Sequence, residues 1–119
     1  MRTMLNYHLV IIVPDGTSYA SNESILDVAI ELKSPIISQK FFIKFLEEEV
    51  ANSDECFFPD SAKDSVDDAQ FIECSVNYIQ KNGCQKILLI APPDKAPHYK
   101  EILNAELGQK CEISDHVVQ

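Results

Sequence analysis

Two continuous apolar runs constrain this chain more than any other feature: His8-Leu9-Val10-Ile11-Ile12-Val13 near the start and Lys86-Ile87-Leu88-Leu89-Ile90-Ala91 near the end. Neither alternates with polar residues, so neither suits a strand with one wet face. Both read as strands buried on two sides, the pattern of a sheet covered by helices. Burial on both faces needs helical segments between the strands, and the intervening sequence supplies them. Ser38 is placed to cap a helix over 39–50, with Phe41, Phe42, Phe45, Leu46 and Val50 on its buried side. Asp67 and Asp68 head a second helix, with Ile72, Val76 and Ile79 in one stripe beside Phe71 and Tyr78, and Asn82-Gly83 closes it. Pro92-Pro93 ends the second apolar run. Tyr99, Ile102, Leu103 and Leu107 then set the face of a third helix, stopped by Gly108, and Cys111-Glu112-Ile113 reads as a last short strand.

Between these segments the signals are mixed. Pro14-Asp15-Gly16 breaks the first strand, and Asp-Gly before Thr17-Ser18-Tyr19-Ala20 is a hairpin signal. Ser24 to Leu32 fits two templates. As a helix it shows a stripe of Ile25, Val28, Ala29 and Leu32; as a strand it puts Leu26, Val28, Ile30 and Leu32 opposite Asp27 and Glu31. Pro35-Ile36-Ile37-Ser38 is short enough for a strand, and Asn52 to Ser65, with Pro59 and its acids, reads as a long surface loop. The expected fold is one α/β domain of 119 residues, a mixed β-sheet with helices packed on it.

Charge narrows the partners. Nineteen Asp and Glu against ten Lys and Arg leave a net charge of −9, which repels phosphate backbones and anionic lipid, so nucleic acid and membrane are not the expected partners. Glu47, Glu48, Glu49, Asp54, Glu55, Asp60, Asp64, Asp67 and Asp68 concentrate that charge in the middle of the chain. A solvated helix end and loop explain such a run, and so does a docking face for a basic protein partner, for which Glu47, Glu48, Glu49, Asp54 and Glu55 are the candidates. No apolar run approaches the roughly 20 residues that cross a bilayer, and Met1 to Asn6 is too short for a signal peptide, so a cytoplasmic location is expected. Cys56, Cys74, Cys84 and Cys111 lack the CxxC spacing of zinc or redox motifs and read as reduced, partly buried thiols. Six Phe and four Tyr fill a core or leave an apolar patch for a homodimer.

The segment from Phe71 to Gln119 carries Tyr78-Ile79-Gln80-Lys81-Asn82-Gly83, then Lys86 to Ala91 followed by Pro92-Pro93, then a helix. This succession resembles the bacterial host attachment protein family, itself similar to the central domain of archaeal and eukaryotic peptide-chain release factors. His8 to Gly16 resembles that family's opening strand with its Asp-Gly turn, Ser18-Tyr19-Ala20 lies where the hairpin returns, and Ile25 to Pro35 resembles its third strand, ending in Glu31-Leu32-Lys33-Ser34-Pro35. The resemblance implies a ribonuclease-H-like, release-factor central-domain-like fold and a binding or assembly role associated with translation. Three departures limit it. Phe41 to Val50 and the acidic run replace the family's Gly-, Arg- and His-rich loop, Asp94 stands where Arg commonly follows Ala-Pro-Pro, and the chain has no Gly-Gly-Gln tripeptide for peptidyl-tRNA hydrolysis.

Two other functions remain open on sequence. Asp15, Asp94 and Asp115 each follow an apolar strand, and strand ends on one side of an α/β sheet converge; three such carboxylates in one cleft would hold magnesium for phosphoryl transfer. Asp also favours such turns for its own backbone hydrogen bonds. Pro35 to Leu46 resembles the late part of a BRCT module, which implies phosphopeptide binding, with Lys33, Lys40 and Lys44 as the nearby cations. His8, His98 and His116 fall in different elements, Cys84 sits at a helix end that disfavours its thiolate, and GxGxxG, GxxxxGK[ST], HExxH and GxSxG are all absent from the sequence.

Overall fold

The computed structural model of the chain describes residues 7–13, 34–49, 58–108 and 111–117. Its strands are β1 (Leu9–Ile12), β2 (Ile36–Ile37), β3 (Lys86–Ala91) and β4 (Glu112–Val117), and its helices are α1 (Lys40–Glu49), α2 (Asp60–Lys63), α3 (Asp68–Asn82) and α4 (Ala96–Leu107). The strands form one sheet in the order β2-β1-β3-β4, and all pairings among the described residues are parallel. The fold is α/β, as the two apolar runs require. β1 and β3 lie side by side at its centre with Leu9 on Ile87 and Ile12 on Ile90. Leu9, Val10, Ile11 and Ile12 are all buried, which is why the run carries no polar alternation. The hairpin at Asp15-Gly16 and the ambiguous segment Ser24 to Leu32, on which a mixed sheet depends, lie outside the described residues.

Local chemistry sets the helix ends. At the head of α3, Asp67 accepts the Gln70 N–H at 2.8 Å while the Gln70 side chain accepts the Val66 N–H at 3.1 Å, so two donors without helical partners are satisfied reciprocally. At its tail Gly83 takes φ 64°, and the N–H groups of Gly83 and Cys84 both reach the Ile79 carbonyl. Gly108 ends α4 at φ 66°, ψ −146°, a region essentially closed to residues with a Cβ. Phe71 of α3 is fully buried, its ring 6.0 Å from that of Tyr99, and so joins α3 to α4 over the sheet.

Four details differ from expectation. The loop expected over Asn52 to Ser65 contains α2, and Pro59, Ala62 and Ser65 are buried, because α2 packs between β2 and α3. Ser38 is not seen capping α1. Its buried hydroxyl donates to the Ile12 carbonyl at 2.7 Å and ties the end of β2 to the end of β1. β4 runs on to Val117, since each residue from Glu112 finds a register partner in β3 from Lys86 onward. Phe41 is exposed; Phe42, Ile43 and Leu46 form the buried stripe of α1, with Phe45 half-buried at its edge.

Candidate functional site

A parallel sheet gathers its strand ends, and here the carboxyl edge also gathers helix starts. α1 and α4 begin just after β2 and β3, while α3, which runs back toward the start of β3, begins there too. β1 is followed in the chain by β2 on one flank and β3 by β4 on the other, so the direction of strand order reverses between β1 and β3. Ligands of open α/β sheets bind at such reversals.

The polar groups at this edge are engaged with one another. Gln39 Nε2 donates to Asp68 Oδ1, and the Tyr99 hydroxyl is hydrogen-bonded to the same carboxylate. Burial raises the Tyr99 phenol well above its ordinary range, and the Asp68 hydrogen bond and charge raise it further. Thus one carboxylate at the head of α3 links the approach to α1 with the first turn of α4. The Lys40 N–H donates to the Ser65 carbonyl and fixes the head of α1 beside the segment that leads into α3.

The three strand-end acids do not occupy equivalent places. Asp94 is exposed in the turn between β3 and α4. Asp115 does not follow a strand: it is the fourth residue of β4, on the rung of Leu89, two rungs short of the Ala91–Val117 pair. Asp15 lies outside the described residues. Among the described residues no three His, Cys, Asp or Glu side chains are grouped to hold a metal ion.

The acids assigned to partner binding divide as well. Glu47 and Glu48 are exposed and, with Glu49, make up the last turn of α1, which has no basic residue. Asp54 and Glu55 lie outside the described residues. Carboxylates at a helix C-terminus face the negative end of the dipole, so this cluster opposes the helix that carries it. Position 41 is about two turns before position 48, and two turns bring residues seven apart back to one face, so Phe41, Lys44 and Glu48 share the exposed side of α1. Phe41 is 52% exposed and Val66 64%, the exposed large hydrophobic side chains among the described residues. Each follows directly in sequence on one end of the backbone hydrogen bond from Lys40 to Ser65, a link between residues 25 positions apart.

No known family, protein or structure was found to match. That holds for the family models, for the curated proteins and for the solved structures alike. The functional reading therefore rests on the chain's own residues. The exposure of Phe41 and Val66 was missed from sequence because Phe41 and Phe45 are four apart, as two core positions would be, and Val66 stands alone among polar residues.

The remaining candidates have structural duties. His8 Nδ1 accepts the N–H groups of Gln85 at 2.8 Å and Lys86 at 3.2 Å, and so anchors the start of β3 to the start of β1. His98 is exposed in the first turn of α4, edge-on to Tyr99 at 5.9 Å. His116 pairs in register with Ile90. Cys74, Cys84 and Cys111 are thiols, with Cys84 buried. Among the described residues no helix is long and apolar enough to cross a membrane.

Proposed function

We infer that this chain is a non-catalytic binding or assembly domain that docks a protein partner through the exposed face of α1. The observation that carries this reading is the exposure of two large apolar side chains, Phe41 on the side of α1 that bears Glu48 and Val66 one residue beyond the Ser65 carbonyl that holds the head of α1. Exposed large apolar groups rimmed by charge mark interaction surfaces. The carboxylates at the far end of the helix add to the argument. Glu47 and Glu48 work against the dipole of their own helix with no cation in that last turn, though Lys44 lies three and four positions before them on the helix surface. A fitting partner presents an apolar anchor for Phe41 and Val66 and a cation about 10 Å away for Glu47 and Glu48, the rise of seven helical residues.

The order of α3, β3 ending before Pro92-Pro93, α4 and β4 supports likening the second half of the chain to the host attachment and release-factor central-domain type, whereas β1, paired with parallel strands on both edges, leaves no edge over Leu9–Ile12 for the returning hairpin of a ribonuclease-H-like fold. The test uses the full chain as bait in cell extract, beside Phe41→Ser/Val66→Ser and Glu47→Gln/Glu48→Gln variants. The wild type is expected to capture a partner that the first variant loses and the second holds only weakly, with capture by the wild type falling as salt rises. Equal capture by all three would refute the reading.

A further inference from the structure

The amino edge of the sheet carries a feature that the docking face does not use. Cys84 precedes β3 and Cys111 precedes β4, and both line one cavity of about 640 Å³ with Ile79, Gln85 and Leu107. The Cys111 Sγ donates to the Cys84 carbonyl oxygen at 3.1 Å. A carbonyl oxygen lies about 2.4 Å from its own Cα, so the Cys111 sulfur is within about 5.5 Å of the Cys84 Cα. The pairing of Lys86 with Glu112, stepped back by one, sets Cys111 level with Gln85. The carbonyls of Cys84 and Gln85 both receive donors from the β4 side, so Cys84 stands outside the extended ladder and its side chain is not committed to the opposite face of the sheet. The Glu112 N–H to Gln85 carbonyl bond at 2.7 Å holds the two strand starts in this relation.

We propose that Cys84 and Cys111 are a peroxide-responsive thiol pair that closes to a reversible disulfide across the amino edge of the sheet. Cys111, half-buried at the cavity wall, reacts first: its thiol and hydrogen peroxide give a sulfenic acid and water. The Cys84 sulfur then attacks the Cys111 sulfur, the S–O bond breaks, and the sulfenic oxygen leaves as water with the Cys84 proton. The two thiols lose two electrons to the peroxide, and a low-molecular-weight thiol restores them. Burial, and then the neighbouring Cys111, raises the Cys84 thiol above its ordinary range, which lowers its thiolate fraction and argues against Cys84 as the thiol that meets peroxide first. Closure fastens β4 to β3 and alters one wall of the cavity.

The experiment exposes the folded full-length chain to hydrogen peroxide, blocks remaining thiols by alkylation, and maps disulfides by peptide mass. The expected result is a linked Cys84–Cys111 peptide, lighter by two hydrogens than its parts and released by dithiothreitol. It should be absent in Cys111→Ser and in Cys84→Ser and retained in Cys74→Ser. A Cys84→Ala variant guards against misfolding of the serine form, and should accumulate the Cys111 sulfenic or sulfinic acid. The proposal is overturned by cross-links that run through Cys56 or Cys74 instead, by over-oxidation of Cys111 in the wild type without a linked peptide, or by a linked peptide that forms only in urea.

Discussion

Replacing Tyr99 with Phe probes the junction of helix heads at the carboxyl edge. The substitution keeps the ring, its burial and its 6.0 Å approach to Phe71, and removes only the hydroxyl that bonds the Asp68 carboxylate. A hydrogen bond to a charged group contributes about 1.5–3 kcal/mol, but Asp68 is exposed and keeps Gln39 as a donor, so water compensates part of the loss and the expected cost is about 1 kcal/mol. For a chain of this size that lowers the melting temperature by about 3–6 °C. The pH dependence identifies the group. Tyr99 has a raised folded-state pKa, so its contribution is fully present below the unfolded value near 10 and is lost as pH rises above it, when the unfolded phenol ionises and the folded one does not. Urea titrations of both proteins at pH 7, 9, 10 and 11 measure this. The gap between wild type and Tyr99→Phe should be constant from pH 7 to 9 and narrow from 10 to 11. A gap of the same size at pH 7 and 11, or none at pH 7, would refute the assignment of the hydrogen bond.

Other substitutions test neighbouring parts of the account. Ser38→Ala leaves the Ile12 carbonyl without its 2.7 Å donor in a buried setting and should cost about 1–3 kcal/mol in urea denaturation. Gly108→Ala forces a Cβ into backbone at φ 66°, ψ −146° and should destabilise by about 1–3 kcal/mol, even though the space around it is open, as thermal melts would show. Glu47→Gln/Glu48→Gln should raise the melting temperature at low salt, with the gain shrinking in 1 M sodium chloride, because the relief is of charge against a helix dipole. A gain insensitive to salt would count against that cause.

The parts of the fold readable from sequence are those where one physical signal dominated. Leu9 to Ile12 and Ile87 to Ala91 are apolar without interruption, and no amphipathic element competes for such a pattern. Asp67 and Gly83 mark the ends of α3 because capping chemistry is local. Where two elements share a task, the sequence was silent. The Ser38 hydroxyl has equal access to a helix cap and to a carbonyl 26 positions away, and only the parallel pairing of β1 and β2 decides. The pattern in α1 put both Phe41 and Phe42 on the core face; packing kept only Phe42, 5.5 Å from the Phe45 ring, and left Phe41 exposed. The backbone link between Lys40 and Ser65, beside Phe41 and Val66, is long-range and has no local signature. Cysteine spacing showed no motif because Cys84 and Cys111, 27 positions apart, approach through the pairing of their strands.

The docking face is tested most directly by placing a photo-crosslinking phenylalanine analogue at position 41, and in separate proteins at the exposed positions 80 and 101, and irradiating cells that express each. A discrete product with a partner protein or a second copy of the chain should form from position 41. It should diminish when Glu47→Gln/Glu48→Gln is added and be absent from positions 80 and 101. Products from position 80 or 101 with none from position 41 would contradict the account.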